Sequence, residues 1–414
     1  MNGLVVIGAS YAGIQAALTA REAGYLEPIT VVSDENCLPY ERPPLSKDFL
    51  TGETSEQKLI LRDSAFFESS RIDLRLGRQA IAIDRHARCV ALARNSALGF
   101  DKLVIATGSR ALRLAVPGAD LDGVCYLRSV ADAVDLRARL AQAAEIVIVG
   151  GGFIGLEVAS SAVKLGKKVT VVESASRLLG RAISPVVSRF LLETHVEAGT
   201  DVRLNATVSS LQKRDGRVAA VRLADGSTLA AELVVVGIGG IANGELAAAA
   251  GIKCGDGVVV DAHGRTDALD IYAAGDCANH YNRHADGWIR LESVQNAQDQ
   301  ARAAGLAIAG SHAPYESVPR FWSDQHDVRL QIVGLSACHD CVAIRGSKEE
   351  KQFSVFYYRE GRLLAVDSVN RPGDQMAARR MIAVGISPMP EQAADVSFDL
   401  KSLLKAIERP KVEA

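Results

Sequence analysis

Two stretches of this chain repeat one local grammar: an apolar run stops at a glycine turn and restarts as a helix of small residues. No other sequence feature narrows the possible folds as much. Near the N-terminus, Leu4–Ile7 reads as a strand, Gly8-Ala9-Ser10-Tyr11-Ala12-Gly13 as the turn, about Ile14–Ala23 as a helix, and Ile29–Val32 as a second strand. Glu145–Val149, Gly150–Gly152, Ile154–Leu165 and Lys168–Val172 then repeat the series. Each is the opening of a βαβ unit, so the expected class is α/β with two parallel sheets of dinucleotide-binding type.

The second turn is the more regular. Gly150-x-Gly152-x-x-Gly155 follows a strand directly, and Glu173 ends the next strand, 18 residues past Gly155. The first glycine permits a tight turn, the second lets backbone approach a pyrophosphate at a helix N-terminus, and the third lets helix pack on strand. An acid at this distance accepts from a ribose hydroxyl and repels a 2′-phosphate, which favours NADH, although Arg177 and Arg181 close behind soften that preference. In the first turn Ser10 replaces the middle glycine, and Glu35 stands 22 residues past Gly13. By itself that turn reads equally well as a cofactor loop or as a generic βαβ turn.

At 414 residues and 43.9 kDa, several cores are expected, and 48% hydrophobic against 23% charged residues excludes wholesale disorder. A net charge of −2 provides no field that would gather nucleic acid or anionic lipid. The longest uncharged apolar stretch, Leu233–Ala242, is 10 residues long. That is well short of a bilayer span of about 20 residues, so neither a membrane segment nor a secretion signal is expected. Pro39-Tyr40-Glu41-Arg42-Pro43-Pro44-Leu45-Ser46-Lys47 is too proline-rich for helix interior and reads as a shaped loop. Lys102–Ala106 and Leu233–Val236 read as strands at the crossings out of and back into the first unit. Ile271–Ala274 reads as a strand, Ser293–Ala309 as a helix, and from Val318 aromatic-rich strands with a turn at Glu360-Gly361 read as an α+β domain whose last dozen residues fray.

Two such units, with Leu103-Val104-Ile105-Ala106-Thr107-Gly108-Ser109 before the second and Ile271-Tyr272-Ala273-Ala274-Gly275-Asp276-Cys277-Ala278 after it, resemble the two-dinucleotide-domain flavoprotein reductases. Leu38–Lys47, Leu291-Glu292-Ser293-Val294-Gln295-Asn296-Ala297 and Phe321-Trp322-Ser323-Asp324-Gln325 are similar to the FAD-dependent ferredoxin reductases of bacterial oxygenase systems, alongside rubredoxin and putidaredoxin reductases. The resemblance implies a glutathione-reductase-like α/β flavoprotein with two dinucleotide-binding domains and an α+β C-terminal domain. FAD would bind residues 1–110 and 236–317, NADH an inserted domain at 111–235, and 318–414 would form the C-terminal domain. It further implies that Asp276 meets the flavin's ribityl chain, that Arg42 and Lys47 contact FAD with Lys47 near its reactive edge, and that Val294, Gln295 and Trp322 line it. Glu157 would face the nicotinamide and pair with the lysine. Ala12, Thr107, Gly108, Arg128, Ile154 and Gly239 complete the candidate cofactor-binding set. A cation beside a ring system that gains a hydride is chemically sensible, because it stabilises the negative charge that develops. For Glu157 the residues alone leave open an ordinary first-turn helix carboxylate.

The seven cysteines are an odd, scattered set, which suits a reducing cytoplasm better than a disulfide framework. The proline segment holds no cysteine where a disulfide reductase needs one; Cys37 reads as a structural thiol and Cys277 as buried packing. Cys338-x-x-Cys341 lies in a hairpin-like stretch without a second ligand pair, and no metal site is expected. The expected activity is electron transfer from NADH through FAD to a [2Fe–2S] ferredoxin, or a rubredoxin, that serves an oxygenase. An NADH oxidase or disulfide reductase, and a flavin-bearing NADH sensor, are the alternatives. Arg371, Arg379 and Arg380 are candidates only for partner docking, a solvated helix face being the safer reading.

Overall fold

The computed structural model describes residues 2–408. The chain divides into two compact units, each assembled from three separated stretches. The first takes Met1–Glu41, Ile60–Arg110 and Ile241–Phe321, and the second takes Arg42–Leu59, Ala111–Gly240 and Trp322–Ala414. Residues 42–59, carried within 1–110 in the sequence reading, belong with the second unit.

In chain order the strands and helices that position the site begin with β1 (Leu4–Ile7), α1 (Tyr11–Glu22), β2 (Ile29–Val32), β3 (Ile72–Arg75) and β4 (Lys102–Ile105). They continue with β5 (Val124–Tyr126), β6 (Glu145–Val149), α2 (Phe153–Lys164), β7 (Lys168–Val172), α3 (Pro185–Glu197), β8 (Asp201–Arg203) and β9 (Leu233–Val236). Last come β10 (Ile271–Ala273), α4 (Val294–Ile308), β11 (Arg320–Gln325), β12 (Val328–Gly334), β13 (Cys341–Ser347), β14 (Gln352–Arg359), β15 (Arg362–Val369) and α5 (Pro372–Val384).

The first unit is built on a parallel sheet in the order β10-β4-β1-β2-β3. All four β1 residues are buried, as a strand covered on both faces requires. Alternation sends Leu4 and Val6 into one core and Val5 and Ile7 into another. In the first of these cores the alanines of α1 meet those of α4, Ala16, Ala17 and Ala20 packing with Ala301 and Ala304. Helix α1 begins three residues earlier than its periodicity predicts, because Ser10 is extended and takes the N-cap position.

The second unit repeats the scheme in the order β8-β7-β6-β9-β5, again parallel. Ile146 and Ile148 face the core that holds Leu156 and Ala159 of α2. The five-stranded C-terminal sheet, β11-β12-β15-β14-β13, shares that core through Phe353, Val355 and Tyr357, with the Phe353 and Phe190 rings edge to face at 4.9 Å. Glu360 and Gly361 form the expected β14–β15 hairpin turn, both at positive φ.

Three expectations are corrected. The proline segment is not only loop: Pro43–Ser46 is a 3₁₀ turn and Asp48–Thr51 a helical turn, since proline is well placed where a helix begins. Only one of Cys338 and Cys341 lies in a hairpin: Cys341 opens β13, which pairs antiparallel with β14, whereas Cys338 lies in the crossover from β12, because β12 and β13 are separated by β15 and β14. Arg371 is no solvated cation, since its Nε is 2.5 Å from Asp374 Oδ2. At the C-terminus, Leu400–Glu408 is helical, and the rest of the tail expected to fray, residues 409–414, lies outside the described residues. Among the described residues no helix is long and apolar enough to cross a membrane.

Candidate functional site

Ligands of open parallel sheets bind beyond the carboxyl ends of the strands, where chain direction switches. In the first unit that point lies between β1 and β4, and in the second between β6 and β9. The two glycine turns stand there in matching conformation. Gly8 and Gly150 both have φ +109°, and a Cβ on either would strike a carbonyl oxygen across the switch point, Ala106 O at 2.2 Å or Gly237 O at 2.4 Å. A Cβ on Gly13 would lie 1.8 Å from Gly8 O, and one on Gly155 2.2 Å from Gly150 O. Both turns are therefore cradles that side chains would fill, each opening onto a helix of 12 residues, α1 or α2, whose first N–H groups can receive a pyrophosphate. Both fit the pyrophosphate of a dinucleotide.

Around the first cradle, a Cβ on Gly275 would lie 2.8 Å from Ala12 Cβ, so the Gly275-Asp276 turn closes against the Gly8–Gly13 loop. Asp276 accepts from Ser109 Oγ at 3.2 Å. Thr107 Oγ donates to Asn243 O at 2.6 Å and Asn243 Nδ2 returns a bond to Thr107 O at 2.9 Å, which fixes the Thr107-Gly108 turn. Glu35 accepts from the Tyr40 hydroxyl at 2.5 Å. Val294 opens α4, while the Gln295 amide accepts from Arg320 N at 2.9 Å and donates to Asp299 at 2.5 Å.

Around the second cradle, Glu173 accepts from Gly151 N and Ala175 N, each at 2.7 Å, so the carboxylate steadies the glycine turn itself. Arg177 donates to the carbonyls of Ile183 and Gly180, which fixes its guanidinium, whereas Arg181 is exposed. Gly239 has φ +122°, and a Cβ there would stand 3.8 Å from Arg181 Nη2. Ile154 is exposed at the start of α2.

Lys47 and Glu157, both in the second unit, are brought together at 2.7 Å. The Glu157 side chain is 3% exposed. Its Oε2 takes the Lys47 ammonium and the Ser46 hydroxyl at 2.5 Å, and its Oε1 takes the Ser323 hydroxyl at 2.6 Å. Ser161 Oγ donates to Ser46 O at 2.8 Å, and Lys47 also donates to Pro43 O at 3.1 Å. The 3₁₀ turn thus presents serine and lysine side by side to one carboxylate. Arg42 is tied down by the Arg128 carbonyl at 2.8 Å, and Trp322 sits half-buried on β11, one residue before Ser323.

Sequence reasoning missed Ser46, Ser323 and Asn243 as members of the site. The first two lie inside the quoted Pro-Pro-Leu-Ser-Lys and Phe-Trp-Ser-Asp-Gln segments; nothing local marks Asn243. It also missed two buried histidine and carboxyl sites in the second unit. Burial pushes His195 down to about 4 and lowers His326 from its usual range. Asp367 is fully buried, accepts from Tyr357 Oη at 2.6 Å and leaves Oδ1 without a partner, so burial pushes its carboxyl up to about 7. Cys277 is buried, and burial raises its thiol above the ordinary value.

Residues 2–301 match the pyridine nucleotide-disulphide oxidoreductase family, and residues 320–404 match the reductase C-terminal family. The sequence is 44% identical to rhodocoxin reductase from Rhodococcus erythropolis over 398 residues, 96% of this chain and 93% of that one. Among solved structures, the ferredoxin reductase for the CYP199A2 system from Rhodopseudomonas palustris superposes with a TM-score of 0.95 at 41% identity, covering 97% of this chain and all of that one. The reductase in a covalent putidaredoxin reductase–putidaredoxin complex also gives 0.95, at 38% identity and 99% coverage of each chain.

Proposed function

The chain belongs to the pyridine nucleotide-disulphide oxidoreductases, and from that premise we propose that it passes electrons from NADH through FAD to a [2Fe–2S] ferredoxin, or a rubredoxin, that supplies an oxygenase. The observation that carries the reading is the Lys47–Glu157 pair: the segment where a disulfide reductase would need a cysteine holds a buried ion pair instead. The named relatives support the rest, since they are reductases for a rhodocoxin, a putidaredoxin and a ferredoxin.

FAD, when bound, accepts a hydride and gives up its electrons one at a time. The chain's own residues bind, orient and compensate charge. The Gly8–Gly13 turn with Ser10 and Ala12 receives the FAD pyrophosphate, Glu35 its adenosine ribose and Asp276 its ribityl chain, with Arg42, Thr107, Gly108, Val294, Gln295 and Trp322 as further contacts. Gly150, Gly152, Ile154 and Gly155 receive the pyrophosphate of NADH, with Glu173 at its ribose and Arg128, Arg181 and Gly239 beside it. Glu173 disfavours a 2′-phosphate. Lys47 supplies positive charge where negative charge develops, and Glu157 holds that ammonium in place through its Oε2. None of the seven cysteines forms a disulfide, which suits a cytoplasmic location.

The test is NADH consumption by FAD-loaded protein with and without a [2Fe–2S] ferredoxin. Strong dependence on the ferredoxin supports the reading. Fast turnover without it supports an oxidase, and negligible turnover either way supports a sensor.

A further inference from the structure

Beyond Glu157 the hydrogen bonds continue through the second unit as one line. Ser323 Oγ, which donates to Glu157 Oε1, itself accepts from Gln325 Nε2 at 2.9 Å. Gln325 Oε1 lies 3.0 Å from His195 Nε2, and His195 Nδ1 lies 3.2 Å from His326 Nε2. Glu157, Ser323, Gln325 and His195 are all buried.

The direction of every proton in this line follows from the carboxylate at its end. An ionised carboxylate only accepts, so Ser323 donates to it and the serine oxygen is left to accept from the Gln325 amide N–H. That orientation turns the amide carbonyl to His195, and because a carbonyl only accepts, His195 must carry its proton on Nε2. Its Nδ1 is then bare and accepts from His326 Nε2–H. Donors aligned head to tail polarise one another, and a low-dielectric interior strengthens each. His326 ends the line at the β11–β12 turn, where its backbone N–H donates to Ser160 Oγ at 2.7 Å. The charged groups acting on it, Asp327 on the same turn and Lys351 just before β14, pair with each other at 2.9 Å.

We propose that His195 is a positioning residue for the Lys47–Glu157 pair: acting through Gln325 and Ser323, it anchors Glu157 Oε1 so that Oε2 stays directed at the Lys47 ammonium. The proposal rests on the reading of that pair given above. It is distinct from a proton relay, because the Gln325 amide transmits polarisation and geometry without passing a proton on.

Two measurements on the FAD-loaded enzyme test it. In ¹⁵N-resolved NMR, His195 should show the Nε2–H tautomer, unchanged from about pH 6 to about pH 9, because burial holds its pKa far below that window; an Nδ1–H tautomer would overturn the proposal. In stopped-flow reduction by NADH, Ser323→Ala and His195→Phe should each slow the hydride step by about tenfold with FAD content unchanged, and His195→Gln, which keeps an N–H near the Nε2 position, should restore most of the rate. His195→Phe should add nothing in the Ser323→Ala background, whereas independent, multiplying effects would refute the chain. If His195→Phe fails to fold, Ser323→Ala and the tautomer still decide the matter. If Lys47→Ala and Glu157→Ala also reduce at the parent rate, the reading of the pair itself fails, and not only the chain that holds it.

Discussion

Glu157 and Asp367 are both buried carboxyls in the second unit, and their surroundings drive them to opposite behaviour. Glu157 has an ammonium and two hydroxyls aimed at its oxygens, so a charge that would otherwise be costly to bury is compensated. Lys47→Ala or Glu157→Ala is therefore expected to slow flavin reduction by NADH at least tenfold, roughly the value of one preorganised charge, with FAD still bound; stopped-flow absorbance measures both. Asp367 is fully buried with one orphaned oxygen and, among the described residues, no cation beside it, and burial outweighs its hydrogen bonds from the Tyr357 hydroxyl and the Ser184 backbone, so its pKa rises to about 7 in the native state. The sign follows by linkage. Between the unfolded value near 4 and the native value near 7 the native state holds the proton and the unfolded state does not, so stability is greatest below the lower value and falls as pH rises through the window. The loss is about 4 kcal/mol at most. Asp367→Asn should flatten that slope, as urea unfolding at a series of pH values would show; an unchanged slope would assign it to other groups.

At the scale of elements, the steepest constraint is the strand-turn-helix unit used twice. A Cβ on Gly155 would lie 2.2 Å from Gly150 O and 3.3 Å from Ile148 Cγ2, and the backbone has no room to yield. Gly155→Ala is expected to cost about 2 kcal/mol or more of stability and to weaken NADH binding while FAD content is retained, which thermal melts and NADH titration can check. Glu173→Gln should narrow the preference for NADH over NADPH, read as the ratio of kcat/KM values, because it removes the carboxylate's charge beside a 2′-phosphate. These turns were legible in the sequence because steric need leaves little choice of residue at Gly8, Gly13, Gly150 and Gly155. The strands beside them were legible as short apolar runs, whereas the split of Leu4 and Val6 from Val5 and Ile7 between two cores is shown only by the folded chain. The surroundings of Glu157 were not, since its partners Ser46 and Ser323 lie 111 and 166 residues away in the chain. Gln325 and His195 meet across 130 residues. A hydroxyl or an imidazole carries no periodic signature, so only the folded chain shows which acid it serves. The 3₁₀ turn at Pro43–Ser46 was missed because prolines that forbid helix interior are favourable at its start.

At the scale of the whole molecule, two cradles of the same geometry, one in each compact unit, make the chain a holder of two dinucleotides. The proposed use of that pair is to turn a two-electron donor into a source of single electrons for a small iron–sulfur protein. Membership of the family alone does not separate this from thiol chemistry; the proposed reading separates them on the Pro39–Lys47 segment, which carries the Lys47 side of the ion pair and holds no cysteine. The most direct measurement is the stoichiometry of electron delivery in the absence of oxygen, with FAD-loaded protein whose accessible thiols have been alkylated, NADH, and excess [2Fe–2S] ferredoxin followed by its visible absorbance. The account predicts two ferredoxins reduced for each NADH oxidised, at a rate that alkylation leaves unchanged. NADH oxidation that leaves the ferredoxin oxidised, or that stops once thiols are blocked, would contradict it.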